Sequence, residues 1–491
     1  MAHGSFTPTT SSMNLDKHAT LAALPPEWPH DVLPEIQQRL RESGQTVVVL
    51  DDDPTGTQTV HGIPVLTEWS VEALRAEFER GTPAFYVLTN TRAMTADKAR
   101  AANEEIVEHL TDALPPAPSP SPVGRGVVIL SRSDSTLRGH FPVEIDALRT
   151  KHTRHAPTLL VPAFFAGGRY TLNDVHYVAS GDALVPTGET EFAKDAAFGY
   201  RASNLRDWVE EKTEGQIKSN EVASISIDDI RIGGPNLVLH KMLALQPASV
   251  CVVNAASERD LEVVALASIL CEAQSHPLLY RTAASFARAR VGIAAQPLLA
   301  ASDLTNIVDT CQGASAPKGG LIIVGSYVPK TSGQLEELLQ IDIDAIEVDV
   351  HALLDDATQQ AEIARVAHAA DALIRAGKDT VIYTSRTLIT GNDAAHSLAI
   401  GNRVSASLIA ILRSVSAQPR FVIAKGGITS SDVATKGLNV KRALVLGQLL
   451  PGVPVWQLGP ESRYPDSIYV IFPGNVGEAG ALVEARSKLS N

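Results

Sequence analysis

Three consecutive carboxylates, Asp51, Asp52 and Asp53, end the apolar run TVVVL and are followed at once by Pro54, Thr55 and Gly56. Like charges so close repel, so the segment needs either partners or a task. Carboxylates at a strand end can accept hydrogen bonds from a polyol, orient a hydroxyl or bind a cation, and a Thr–Gly turn is rich in donors. The plain alternative is a solvated turn in which an Asp caps the next helix. Alone, the segment leaves both readings open. Repulsion is tolerable if the three point differently: Asp51 toward local backbone or solvent, Asp52 and Asp53 toward a substrate.

Two further patches carry arginine. TNTRAM supplies Asn90 and Arg92, and SRSDSTLRGHF supplies Arg132, Asp134, Ser135, Thr136 and Arg138. A guanidinium grips a planar carboxylate through two parallel hydrogen bonds, and the hydroxyls with Asp134 suit adjacent alcohols. A structural network at a domain seam would use the same residue types. Taken with the aspartates, the patches point to a substrate bearing both hydroxyls and a carboxylate. VPAFFAGGRYTLNDVHY adds a Gly167–Gly168 turn, Arg169 and His176; for the histidine, acid/base and satisfied hydrogen-bonding roles both stand.

The second half is glycine-rich where the first is charged. Gly325–Ser326, Gly426–Gly427 with Thr429, and Gly474–Asn475 with Gly477 could bring backbone amides close to phosphates, although glycine also simply ends strands. GxxxxGK[ST] and GxGxxG are absent, which disfavours P-loop and standard dinucleotide sites. The absence of HExxH and GxSxG likewise disfavours a zinc site and a hydrolase elbow.

These residues must be positioned by something. Nearly every polar cluster follows a short apolar run, and helical segments intervene: Glu35–Ser43, the stretch after Thr95 (a plausible N-cap), and the strand–turn–helix unit ASVCVVNAASERDLEVVALASILCEA. That alternation predicts α/β layers with largely parallel sheets, in which ligands gather at the carboxyl ends of strands. PPAPSPSPVGRG reads as a turn or loop. At 491 residues the chain is too long for one core. The expected organisation is a polar, Pro-rich extension over 1–35, a first domain over 36–295, a connecting region over 296–317 and a second domain over 318–491.

Composition excludes several classes. A net charge of −13 argues against a non-specific nucleic-acid binder but permits an anionic small substrate in a locally positive pocket. No run approaches a membrane span, and the N-terminus lacks the apolar core of a secretory signal. Three scattered cysteines fit a reducing, cytoplasmic compartment and no disulfide framework.

In order along the chain, DDDPTG, SDSTLRG, VPAFFAGGR, AKGGITSSDV and FPGNVG resemble the four-carbon acid sugar kinase family, from roughly Gln45 to Leu482. The resemblance implies two α/β domains with an interdomain active-site cleft. It also implies ATP and Mg²⁺ as cofactors, and phosphorylation of the terminal hydroxyl of a sugar acid such as threonate, erythronate or an oxo-tetronate. Carried over, it puts Asp52 and Asp53 at the accepting hydroxyl with Thr55 and Gly56 beside them. Arg92 and Arg138 take the substrate carboxylate, while Asn90, Asp134, Ser135 and Thr136 complete the substrate site. Gly325, Ser326, Gly426, Gly427, Thr429, Gly474, Asn475 and Gly477 fall at the nucleotide, and Asp432 is a metal-side carboxylate. Pro54 stands where the family commonly has Leu, and RTAASFARA lacks the glycines of a segment common near the end of the first domain. A homodimer is the default for a soluble enzyme. An ATP-independent sugar-acid isomerase or dehydratase, and a non-catalytic nucleotide or metabolite sensor, are the alternatives.

Overall fold

The computed structural model describes residues 14–114, 126–150, 153–304, 319–386, 389 and 394–490. Residues 1–13 of the extension, the Pro-rich tract over 115–125 and residues 305–317 of the connecting region, with Cys311, lie outside the described residues. In chain order the first strands are β1 (Leu15–Asp16), β2 (Thr46–Asp51), β3 (Ile63–Leu66), β4 (Ala84–Leu88), β5 (Val127–Arg132) and β6 (Thr158–Val161). Then come β7 (Arg169–Leu172), β8 (Val175–Ser180), β9 (Ala183–Pro186), β10 (Ala223–Ile225), β11 (Val250–Val253) and β12 (Leu279–Thr282). The last are β13 (Leu321–Val324), β14 (Asp344–Val348), β15 (Thr380–Thr384), β16 (Phe421–Lys425), β17 (Arg442–Leu450), β18 (Val453–Leu458) and β19 (Ile468–Phe472).

The chain divides into two compact units that are not continuous in sequence: Met1–Arg39 with Ser133–Arg290, and Leu40–Arg132 with Val291–Asn491. This partition differs from a linear one, because Leu40–Arg132 packs with the C-terminal part.

The first unit holds a parallel sheet in the order β10-β11-β6-β12 and a small antiparallel sheet in the order β1-β9-β8-β7. The helix Glu258–Ala273 follows β11 as the sequence predicts. Ser257 and Asp260 close its capping box, and the buried Asp260 also holds Arg231 at 2.8 Å.

In the second unit the order is β5-β2-β4-β3-β17-β18-β19-β16-β13-β15-β14. Both ends of this sheet are parallel, in line with the buried, β-branched strands of the sequence. The middle departs from the parallel expectation: β3, β17, β18 and β19 pair antiparallel, since β17 and β18 form a hairpin that reaches back to β3. The expected helix at Glu35–Ser43 starts slightly earlier, at Leu33, and Thr95 does precede the helix Ala96–Ala113 but makes no side-chain cap. Among the described residues no helix is long and apolar enough to cross a membrane.

Candidate functional site

Strand β2 carries the three aspartates to its end. Its register sets Asp51 between Leu88 of β4 and Arg132 of β5, so the arginine arrives beside the carboxylate through sheet pairing. Asp51 turns toward local backbone and not toward solvent: it is buried and accepts from Asp53 N at 3.4 Å and from Arg132 Nη1 at 3.1 Å. Burial pushes its carboxyl up to about 7, against the pull of Arg132 and with the push of Asp52 and Asp53.

Asp52 takes Arg92 in a two-pronged pair, Nη2 at 2.5 Å and Nε at 3.1 Å, and Asp53 takes Arg92 Nη1 at 3.2 Å. Asp53 also caps the 3₁₀ turn Pro54–Thr59, accepting from Thr55 N at 2.8 Å and Thr55 Oγ1 at 2.5 Å. Burial works to raise the Asp53 carboxyl, but Arg92 and the Thr55 donors hold it below the usual range. Gly56 is fixed by contact: a Cβ there would lie 1.8 Å from Asp51 Oδ2. Asn90 sits at the end of β4 in the left-handed region, φ 54°, with its amide turned to Asp51 O at 3.4 Å. Two arginines thus compensate three carboxylates, and the repulsion raised by the sequence is answered within this unit.

In the first unit the DSTLRG segment is a tight loop. Asp134 Oδ2 accepts from Arg138 Nε at 2.6 Å and from the Thr136 hydroxyl, while Arg138 Nη1 also faces Asp195 at 3.7 Å. His176 braces the loop: it is buried, its Nε2 lies 2.7 Å from Ser135 O and its Nδ1 2.9 Å from Thr171 Oγ1. Burial pushes this imidazole down to about 4, so it is neutral near pH 7 and holds backbone rather than shuttling protons. Tyr200 Oη donates to Thr136 O at 2.7 Å.

Arg169, first residue of β7, joins this cluster. Its guanidinium lies 5.6 Å from the Phe192 ring centroid, and Arg138 lies 5.2 Å from the same ring. Its Nε is buried without a hydrogen-bond partner among the described residues, and burial holds the group below the usual arginine range. Sequence reasoning noted the Gly–Gly–Arg turn but gave this residue no site role.

The glycine-rich segments of the second half meet. β13, β16 and β19 are neighbours in the sheet, so the residues after their ends converge. A cavity of about 480 Å³ is lined by Gly325, Ser326, Gly426, Gly427 and Thr429, with Val350, Ile400, Val404 and Leu408 on an apolar wall. A Cβ on Gly325 would stand 2.7 Å from Thr429 Oγ1, and one on Gly426, at φ +119°, 3.0 Å from the Ser326 Cβ. Gly474 adjoins Ser326 and Gly426, while Asn475 and Gly477 continue its loop outside the cavity lining. Asp432 accepts from Ser405 Oγ at 2.6 Å, itself a lining residue, and pairs with Lys436 at 2.7 Å. Among the described residues no three His, Cys, Asp or Glu side chains gather as a metal cage.

Two cations here escape the sequence reading. Arg386, just beyond β15, donates to Ser326 O at 2.9 Å and Ser332 Oγ at 2.5 Å and stacks 5.1 Å from the Tyr327 ring, while its Nε and Nη1 find no partner among the described residues. Lys425 is the last residue of β16 and is fully buried. The available signal is positional: a cation closing an apolar strand directly before polar or glycine residues, as in VIYTSR and FVIAKGG.

Residues 47–290 match the family of sugar-binding N-terminal domains, and residues 321–482 match the family of nucleotide-binding C-terminal domains. D-erythronate kinase of Heliobacterium modesticaldum (strain ATCC 51547 / Ice1) is 26% identical over 238 residues, which is 48% of this chain and 48% of that protein. The chain thus spans about half the length of the curated relative it matches. A Salmonella typhimurium LT2 protein solved as a proposed tRNA synthase has the same fold, with a TM-score of 0.63 at 17% identity over 90% of this chain and 98% of its own. Haemophilus influenzae protein HI1011, of the DUF1537 family, gives a TM-score of 0.60 at 18% identity over 90% of this chain and 99% of its own. At such identities the likeness establishes fold alone. With consecutive matches to both domains, over 47–290 and 321–482, the chain belongs to the family that joins a sugar-binding N-terminal domain to a nucleotide-binding C-terminal domain.

Proposed function

We propose that the protein is an ATP-dependent kinase that phosphorylates the terminal hydroxyl of a four-carbon sugar acid or a closely related polyhydroxy acid. The observation that carries this reading is the glycine-built cavity at the ends of β13 and β16, within the stretch that matches nucleotide-binding domains. An isomerase or dehydratase that ignores ATP has no use for it. The D-erythronate kinase relative supports a four-carbon acid as substrate.

In this reading the acceptor oxygen bonds to the γ-phosphorus of ATP, the bond to the bridging oxygen breaks to release ADP, and the hydroxyl proton leaves to a carboxylate. Asp53 suits that last role better than Asp52, since its side chain is 21% exposed against 4%. Its lowered pKa is no obstacle, because a loose phosphoryl-transfer transition state needs positioning more than a strong base. Arg92 keeps the Asp53 carboxylate ionised and aims both carboxylates; as it is already engaged with them, Arg138 and Arg169 are the better receptors for the substrate carboxylate, with Asp134, Ser135 and Thr136 reading hydroxyls. Backbone amides around Gly426–Gly427 and Gly474–Asn475, with Arg386, receive the phosphate chain. Mg²⁺ would offset phosphate charge there, with Asp432 as its single carboxylate once Lys436 gives way.

The test is ADP formation by purified protein with Mg-ATP across a panel of four-carbon sugar acids and related hydroxy acids. Substrate-dependent turnover is expected, and silence across the panel refutes the reading. Asp53→Asn should then lower kcat by about 10²-fold or more with little change in KM for ATP.

A further inference from the structure

Lys425 is a buried cation without an anion. It is 0% exposed, its Nζ donates to Pro473 O at 2.7 Å and Gly474 O at 3.4 Å, and the Phe472 ring lies 4.0 Å away. Among the described residues no carboxylate pairs with it. An ammonium so placed costs folding free energy unless something repays the lost hydration. Its neighbours show what it does. Thr331 Oγ1 donates to the same Gly474 O at 3.1 Å, and Gln334 Nε2 donates to Val476 O at 3.0 Å and Glu478 O at 2.9 Å. The carbonyls of the 473–478 loop are therefore pinned inward by three side chains. Meanwhile the amides of Gly474, Asn475, Val476 and Gly477 donate to no described group, and Asn475 is exposed.

We propose that Lys425 is a positioning residue for the nucleotide: it turns the 473–477 loop so that its free amides face the phosphate chain, and it supplies the buried positive charge that the chain neutralises. This rests on the kinase reading and adds to it a residue and a consequence. Burial pushes the ammonium down to about 7, and Lys330 on the helix Pro329–Leu339, the charged group acting on it, adds to the fall. An arriving polyphosphate raises that value again, so binding above neutrality takes up a proton.

The experiment is calorimetry of Mg-ADP on the full chain at pH 8, in two buffers of different ionisation heat, repeated at pH 7 and 9. The wild type should gain close to about one proton per nucleotide at pH 8, with affinity falling as pH rises. Lys425→Met should bind at least about tenfold more weakly at pH 7 and lose the pH dependence. Lys425→Gln, which keeps a donor for the loop but no charge, should bind with intermediate affinity and no proton uptake. If both variants bind within twofold of wild type, or the wild type binds Mg-ADP without proton uptake, the role of Lys425 is refuted and the nucleotide reading survives. If the wild type binds no Mg-ADP, both fall. Should the variants fail to fold, the proton count of the wild type decides alone.

Discussion

Gly56 and Asp51 form a lock that chemistry alone explains. The glycine is needed because any side chain would enter the Asp51 carboxylate, and that carboxylate is held by Arg132. Gly56→Ala should therefore destabilise the protein by about 1–3 kcal/mol in urea unfolding, as overpacking does, and should depress turnover by displacing the acidic pair. Asp51 also sets a pH dependence. Its folded value, about 7, exceeds its ordinary 3.8, so its contribution to stability is complete below about pH 4 and is lost as pH rises through 7. Asp51→Asn should flatten the stability profile across that window relative to wild type, read by thermal melts at stepped pH. At this scale the sequence shows which side chains can do chemistry but not how they pair. Arg92 looks like a substrate clamp until the structure shows both of its edges on Asp52 and Asp53. No local pattern reveals that Arg132 meets Asp51 across a ladder 81 residues away.

Elements translate these residues into sites by ending together. Every parallel strand delivers its last residue to the same edge of its sheet, which is why polar clusters scattered along the chain are legible as site material in the sequence alone. That legibility is weakest where a charged residue lies inside an element. Lys425 closes a strand of otherwise apolar residues, and Arg169 opens one, so both look like part of the scaffold. Arg169 is the more accessible to test. Its Nε lacks a partner among the described residues and Arg138 beside it is already paired, so Arg169→Met should raise KM for the sugar acid by about tenfold or more, with a smaller effect on KM for ATP. The turn after β2 shows a second limit. Pro54 occupies the first position of the 3₁₀ segment, where its missing N–H costs nothing, and Asp53 caps that segment. In the sequence a capped turn and a substrate carboxylate stand as rivals, yet the cap geometry leaves Asp53 Oδ2 on Arg92 and the side chain partly open to solvent.

At the scale of the whole chain, the alternation of strands and helices predicts α/β architecture, and the family matches agree with two such domains. What the sequence does not disclose is the ladder in which Leu66 opposes Arg442 and Ile63 opposes Val445. Antiparallel strands so far apart leave no local trace, because register there is decided by burial and not by a turn. The buried Glu77 strengthens the same seam, taking Arg442 Nε at 2.7 Å. A fragment ending near residue 295 removes β17, bares the edge of β3 and takes Arg442 from Glu77, which keeps Arg80 and Thr82. Such a fragment should show a broad, low-temperature melt and concentration-dependent association, measured by circular dichroism and sedimentation, whereas the full chain melts cooperatively.

The same ladder puts a clock on synthesis. A ribosome that has released β3 must still add about 380 residues before β17 emerges, roughly 20–75 s at bacterial or eukaryotic elongation rates. Throughout that interval β3 can pair only with β4 and keeps its other edge bare, so the yield of native protein depends on holdase capacity and on how quickly translation reaches the C-terminal hairpin.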